Sequence, residues 1–176
     1  MIGIFKQVLI RFLVTNLYER STLIQHILQK NMPKFSFEKI VDVNRDKFFT
    51  ISTDYEKFTV ILPDYFKELK IIETHDNITK IFERLSFLGK TVDVTTEHII
   101  EKPDRHIVKM LDGQAKGTVF DERYEEFDGK TKVTIKVDFV LSGGLKVLGM
   151  FAKNKIKNSM ENVLDEFANY AQSHSD

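Results

Sequence analysis

Glu122 is the carboxylate whose neighbours best suit it to chemistry. It alternates with Phe120 and Tyr124 along a strand-like run, so the three side chains share one face of that strand. If this face points into the protein, burial among aromatic rings raises the pKa of Glu122 and suits it to proton transfer or to orienting a ligand hydroxyl. The alternatives are an ion pair with Arg123 or Lys116, or a place at a wet rim. Glu122 and Tyr124 are therefore the candidates for a catalytic role.

Two histidines, His98 and His106, flank a loop on neighbouring strands and could approach each other across the sheet. The sequence has no third ligand at a suitable spacing and no H-E-x-x-H motif, so it predicts no metal site. The triplets at 89–91 and 129–131 both read Gly-Lys-Thr, like the end of a phosphate loop. Each lacks the first glycine of that loop and lies between strands, so both are predicted to be hairpin turns. No motif indicates a class of enzyme or a cofactor.

The composition excludes several other classes of protein. With 176 residues, the chain is long enough for one domain with a substantial core. Its 26 basic and 26 acidic residues balance, so no overall field recruits nucleic acid. The absence of cysteine excludes disulfides and fits a reducing compartment, so we expect a cytoplasmic protein. Fifteen Phe and no Trp supply hydrocarbon rings to a core or a pocket.

The elements that would position these residues follow from the period of the apolar side chains. A first strand is followed by two short helices, which Asn44 and Asp54 can cap and Pro63 ends. Six more strands come next, and after the glycine pair at 143–144 the period changes from two to about 3.6, which predicts a long helix. The predicted strands lie at 34–43, 66–73, 78–88, 91–100, 105–111, 116–127 and 131–141.

Six consecutive strands joined by hairpins must curl to bury one face, and wrapping them around a helix is the economical solution. This predicts an α+β domain in which a seven-stranded antiparallel sheet grips the C-terminal helix, with the two short helices at one end of the groove. The helix presents one apolar face, formed by Leu145, Leu148, Ala152, Ile156, Met160, Val163, Phe167 and Tyr170.

Residues 1–31 differ from the rest of the chain, because they combine a broadly apolar helical pattern with basic residues such as Lys6 and Arg11. These charges interrupt the apolar run well before the ~20 residues that a membrane span needs. One interpretation is an amphipathic helix in peripheral contact with an anionic membrane surface. The other is an appendage, or an upstream extension of a reading frame whose working start is Met32. We favour the appendage and place the domain at residues 32–176.

Several short stretches resemble the START-related superfamily, also called SRPBCC, which includes polyketide cyclases, coenzyme Q-binding proteins and Bet v 1-like proteins of the helix-grip fold. The resemblance extends from Lys34 to about Gln172. It implies a helix-grip domain, and because the matching stretches mark turns and core positions, it specifies the fold better than the function. These stretches are Asp54–Phe58 with Leu62-Pro63, Leu111–Gly113 with Gly117-Thr118 and Glu122–Tyr124, and Gly129–Val133.

The resemblance also favours a pocket between sheet and helix, where the strand pattern alone would equally allow a solid core. Strand alternation and the helical face then predict which side chains contact a ligand. The predicted ligand-binding residues are Val92, Val94, His98, Val108, Met110, Phe120, Tyr124, Ile135, Val137, Phe139, Met160 and Val163.

Members of the superfamily bind lipids, sterols, quinones, plant hormones and polyketides, some catalyse cyclisation or dehydration, and others bind ribosomes or partner proteins. The absence of a catalytic constellation favours a carrier or sensor over an enzyme. We therefore predict non-enzymatic binding or transport of a hydrophobic small molecule, namely a lipid, an isoprenoid or a quinone. The alternatives are an enzyme of the polyketide cyclase or aromatase type, and a protein-interaction module of the same fold.

Overall fold

The computed structural model describes residues 34–87, 89–140 and 146–174. The predicted appendage at 1–31 lies outside the described residues. So do Leu141 and Leu145, which the sequence places on the inner face of the last strand and on the apolar face of the helix.

The helices and strands of the described chain follow the predicted order. The first strand is followed by two short helical segments, then by six strands and a 28-residue helix. The elements are β1 Lys34–Val41, α1 Arg45–Ser52, a 3-10 turn at Tyr55–Lys57, α2 Phe58–Ile61, β2 Phe66–His75, β3 Ile78–Phe87, β4 Lys90–Glu101, β5 Arg105–Met110, β6 Val119–Phe127, β7 Lys130–Asp138 and α3 Lys146–Ser173.

The seven strands form one antiparallel sheet in the order β1-β7-β6-β5-β4-β3-β2. Strands β2 to β7 are therefore hairpin neighbours in sequence order, and β1 returns to pair with β7, with Lys34 opposite Asp138. The predicted turn between β6 and β7 has positive φ at both Asp128 (50°) and Gly129 (75°), as a tight hairpin turn requires. The seven-stranded antiparallel sheet with a long C-terminal helix confirms the predicted fold class.

The main differences from the predicted bounds occur next to turns. Strand β6 begins at Val119 and not at 116, because residues 113–117 turn back on the end of β5 and the Gly117 amide donates to the Met110 carbonyl. Gly117 has a φ of 90°, which favours glycine. Thr118 closes this turn, since its hydroxyl donates to the Val140 carbonyl and accepts from the Val140 amide.

The core lies where the helices cover the inner face of the sheet. Helix α1 is capped as predicted, because the Asn44 side chain accepts from the amides of Asp46 and Lys47 at 3.0 and 3.4 Å. Its Phe48 and Phe49 are buried. Helix α3 is held on the sheet by buried apolar residues and by Lys39 of β1, which donates to Asp165 at 2.6 Å. Among residues 34–87, 89–140 and 146–174, no helix combines the length and hydropathy needed to cross a membrane.

Candidate ligand-binding site

A cavity of about 210 Å³ lies between the inner face of the sheet and helix α3, and it is partly open to solvent. Alternate residues of strands β3 to β7 form one wall, and Ile156, Met160 and Val163 of α3 belong to the other. Phe58 of α2 closes part of the space, because its ring packs against that of Phe167 with centroids 5.2 Å apart. The lining is mostly apolar, as is usual for sites that bind small molecules.

The structure brings most of the predicted ligand-binding residues together at this cavity, and it adds others that the sequence interpretation did not name. The predicted residues that border the cavity are His98, Val108, Met110, Phe120, Tyr124, Ile135, Met160 and Val163, and Glu122 borders it as well.

Four predicted ligand-binding residues, Val92, Val94, Val137 and Phe139, do not border the cavity. Val137 and Phe139 are only 2% and 1% exposed, so they belong to the solid core. Val94 is likewise buried, and Val92 is half-buried near the start of β4. The reason is that strand alternation determines which face a side chain occupies, but not whether empty space lies opposite it.

The lining residues that the sequence interpretation missed include some from α3, from β3 and from the segment around α2. Glu83 and Leu85 lie on the inner face of β3, and Phe58, Tyr65 and Phe66 lie beside it. A signal was present for Glu83, since it alternates with the apolar residues Ile81 and Leu85 along a strand. Neither Glu83 nor His106 was among the predicted site residues, although both border the cavity.

A polar cluster crosses the floor of this apolar cavity, and we call Glu83, His98, His106, Glu122 and Tyr124 the interior cluster. Glu83 Oε1 lies 3.3 Å from His98 Nε2, and His98 Nδ1 lies 2.9 Å from His106 Nε2. His106 Nδ1 lies 3.0 Å from Glu122 Oε2, which also accepts a hydrogen bond of 2.8 Å from the Tyr124 hydroxyl. The five side chains therefore form a continuous polar chain from β3 to β6.

Strand register explains how these residues meet. His106 and Glu122 are direct cross-strand partners on β5 and β6, so their side chains lie side by side on the inner face. His98 of β4 faces Val108, which makes its contact with His106 a diagonal one. The predicted approach of the two histidines is thus present, but Glu122 binds His106 and Tyr124 and not Arg123 or Lys116.

The pKa of Glu122 is lower than usual, which corrects the expectation that burial would raise it. Burial does push this pKa upward, but the hydrogen bonds from His106 and Tyr124 and the nearby imidazoles together outweigh it. Burial lowers the pKa of His98. At neutral pH the cluster therefore holds an ionised Glu122 and an uncharged His98.

Glu122 determines the position of one imidazole proton. An ionised carboxylate only accepts hydrogen bonds, so His106 donates to it through Nδ1. On the other side of the pair, His98 Nε2 lies 2.9 Å from Thr96 Oγ1 and 3.3 Å from Glu83 Oε1.

Tyrosine 55 lies against the same imidazoles but differs from Tyr124 in its hydrogen bonding. The Tyr55 ring centroid is 4.8 Å from that of His98, and its hydroxyl is buried with no hydrogen-bond partner among the described residues. Burial also raises the pKa of Tyr55. By contrast, the Tyr124 hydroxyl donates to Glu122 and lies 3.3 Å from Ser52 Oγ. Among the described residues, no group of His, Asp or Glu side chains is arranged to hold a metal ion.

No protein-family model and no curated protein matches the sequence, whereas its fold closely resembles many solved structures. The structure of the ZhuI aromatase/cyclase from Streptomyces sp. R1128 superposes with a TM-score of 0.72 at 12% identity, covering 81% of this chain and 94% of that one. A START superfamily protein from Mycobacterium smegmatis superposes with a TM-score of 0.68 at 11% identity, covering 80% and 97%. The chain has the START-like helix-grip fold.

Other proteins with the helix-grip fold come from plants. A norcoclaurine synthase from Thalictrum flavum, solved with a transition-state analogue, superposes with a TM-score of 0.63 at 13% identity over 81% of this chain and 96% of that one. In this helix-grip domain the cavity lies between the sheet and the gripped helix, with the interior cluster on the sheet side. At these identities the likeness establishes the fold.

Proposed function

We propose that this domain binds a hydrophobic small molecule, of the size of a short lipid or isoprenoid, in the cavity between the sheet and α3. The observation that carries the proposal is the partial burial of Val108, Met110 and Phe120, which point inward yet keep accessible surface because they face open space. In a solid core the same positions would be fully buried, as Val137 and Phe139 are. Apolar surface left open inside a domain favours an apolar occupant.

Native mass spectrometry of the purified protein, followed by organic extraction, tests whether an apolar compound is retained. We expect a co-purified compound, or a rise in melting temperature when apolar ligands are added, because binding to the folded state alone stabilises it. A matched pair of variants on α3 localises the site. Val163→Phe fills the cavity from a lining position, whereas Asn162→Phe adds the same ring at an exposed position.

Loss of ligand-induced stabilisation in Val163→Phe but not in Asn162→Phe supports binding in this cavity. Equal binding by both variants contradicts it, as does a wild-type protein that retains nothing and responds to no apolar ligand.

A second candidate function is acid–base catalysis on a bound ligand, and one observation favours it. Glu122 is ionised at the cavity wall and accepts a hydrogen bond from His106, so it could take a proton from a ligand and hold it on its carboxyl group. General acid–base steps contribute roughly 10²–10⁴-fold, so Glu122→Gln would keep binding but lose turnover by that order. Equal turnover by Glu122→Gln and the wild type with a candidate substrate would exclude this role.

A further inference from the structure

The carboxyl groups that border the cavity are not matched by Lys or Arg side chains. Among the described residues that line it, two are glutamates, Glu83 and Glu122, and none is Lys or Arg. The other ionisable groups in the lining are His98, His106 and tyrosines. A cavity that holds acidic groups without Lys or Arg is a poor place for an anion.

The basic residues of the surrounding strands are engaged on the outer face of the sheet. Arg84 of β3 pairs with Asp93 at 2.8 Å, Lys109 of β5 with Glu97 at 2.9 Å, and Arg105 with an outer carboxylate of β6. Each of these partners lies on the side of the sheet that faces away from the cavity. The inner face of these strands therefore carries Glu83 and Glu122, whereas the Lys and Arg side chains named above lie on the outer face.

The cavity keeps an ionised carboxylate at neutral pH. The hydrogen bonds from His106 and Tyr124 hold the pKa of Glu122 below its ordinary value, and burial keeps the nearby His98 uncharged. Tyr55 and Tyr124 face the same groups, and both keep their phenol protons because burial and the glutamates raise their pKa values. His106 donates to Glu122, and no Lys or Arg stands among the described lining residues.

Glu122 is the member of the carboxylate–histidine chain that a ligand can reach. Its side chain is 16% exposed, compared with 4% for His106, 3% for His98 and 4% for Glu83. The exposed carboxylate belongs to a residue that lines the cavity among Phe120, Ile135 and Met160. A ligand whose apolar body fills the cavity would therefore meet one carboxylate at its polar end.

We propose that the cavity selects apolar molecules whose polar end donates hydrogen bonds, an amine in preference to a hydroxyl, and that Glu122 receives this donor. The inference rests on the proposed binding function and narrows the class of ligand. An ammonium gains from the buried negative charge and a hydroxyl gains one charge-assisted hydrogen bond. A carboxylate or phosphate head group would lie beside like charge in a desolvated site and is rejected.

Three small molecules with one apolar body test this selection: phenylbutylamine, phenylbutanol and phenylbutyrate. Their dissociation constants are measured by calorimetry with the full chain at neutral pH. We expect the amine to bind most tightly, the alcohol next, and phenylbutyrate at least roughly tenfold more weakly than the amine. Phenylbutyrate that binds as tightly as phenylbutylamine overturns the proposal while leaving the cavity a binding site.

A matched pair of variants on β6 assigns the selection to Glu122. Glu122→Gln removes the carboxylate at the cavity, whereas Glu125→Gln removes one from the exposed outer surface, where it pairs with Lys132. We expect Glu122→Gln to lose the preference for the amine and to gain affinity for phenylbutyrate, and Glu125→Gln to keep the wild-type order.

An unchanged order in a folded Glu122→Gln overturns the assignment. If that variant does not fold, the wild-type ranking decides on its own. If none of the three molecules binds the wild type, the proposed selection is overturned, whereas the binding function is decided separately by native mass spectrometry and ligand-induced stabilisation.

Discussion

The Nδ1 atom of His98 and the Nε2 atom of His106 lie 2.9 Å apart, although the two residues are not direct cross-strand partners. Their rings are nearly parallel, at 21°, with centroids 5.1 Å apart. Through this contact the two imidazoles connect Glu83 of β3 to Glu122 of β6 in a buried site. Each imidazole therefore satisfies groups on both of its sides, and the loss of either leaves buried polar atoms unpaired.

Replacing His106 by alanine is expected to destabilise the fold. The substitution leaves Glu122 and His98 buried without a shared partner, which costs about 1–3 kcal/mol for each unsatisfied group. Urea denaturation at neutral pH measures the loss. His75→Ala serves as the control, because that side chain is 78% exposed and its removal should change stability by less than ~0.5 kcal/mol. Equal stability of the two variants would contradict a structural role for the cluster.

Acidification is expected to destabilise the protein in two stages. The pKa of His98 is lowered in the folded state, so below its ordinary value of 6.5 the unfolded chain binds more protons and stability falls. The pKa of Glu122 is also lowered, so a further loss follows below its ordinary value of 4.5. Urea midpoints followed from neutral to acidic pH measure both stages. His98→Gln should flatten the upper stage, and a rise in stability on acidification would contradict the prediction.

The hydroxyls of Tyr124 and Tyr55 are expected to differ in their contributions to stability. Tyr124→Phe removes the donor that binds ionised Glu122 at 2.8 Å, which should cost about 1.5–3 kcal/mol and raise the pKa of Glu122. Tyr55→Phe removes a buried hydroxyl that has no partner among the described residues, so it should be neutral or slightly stabilising. Chemical denaturation compares the pair, and NMR titration follows the Glu122 carboxyl. Equal losses in both variants would contradict a stabilising hydrogen bond from Tyr124 to Glu122.

Core and cavity positions are expected to respond differently to truncation. Phe139→Ala leaves a new void in a fully packed region and should cost about 3–5 kcal/mol. Met110→Ala enlarges a cavity that is already present, so its cost should be at or below the ~2 kcal/mol end of the range for such changes. The same denaturation assay ranks the two. A larger loss for Met110→Ala would indicate that this position is packed like the core.

The two interpretations of the segment at 1–31 lead to different expectations for a shortened chain. A chain that begins at Met32 is expected to fold with nearly the same melting temperature and to bind the same ligands, if the segment is an appendage. If the segment instead lies on anionic membranes, the full chain should sediment with anionic vesicles and the shortened chain should not. Added salt should then release the full chain by screening Lys6 and Arg11.

Strand periodicity was sufficient to predict the fold and the proximity of two site residues. Alternation predicted the face on which His98 and His106 lie, and their positions on either side of a hairpin loop predicted their close approach. The cap at Asn44 and the turn at Asp128-Gly129 were equally local and were predicted correctly. Each of these features depends on residues that are neighbours in sequence or across one hairpin.

The features that the sequence could not predict depend on depth and on contacts that strand register does not give. Glu83 contacts His98 although its direct partner on β4 is Val94, four residues away from His98. Val137 faces inward like Ile135, yet only Ile135 borders the cavity. The direction of the Glu122 pKa shift was also missed, because it depends on two hydrogen bonds that only the folded structure supplies.

The pairing of β1 with β7 determines how late during synthesis β1 can join the sheet. Lys34 lies opposite Asp138, which the ribosome adds 104 residues later, so β1 leaves the exit tunnel long before its neighbour in the described sheet exists. The hairpins from β2 to β6 need no such wait, since each strand follows directly on its partner. Phe35 and Phe37 of β1, buried in the folded protein, lack this partner on the nascent chain until β7 has been made. A premature stop anywhere before β7 therefore yields a fragment with a lone apolar strand, which is the kind of surface that chaperones bind and that drives aggregation.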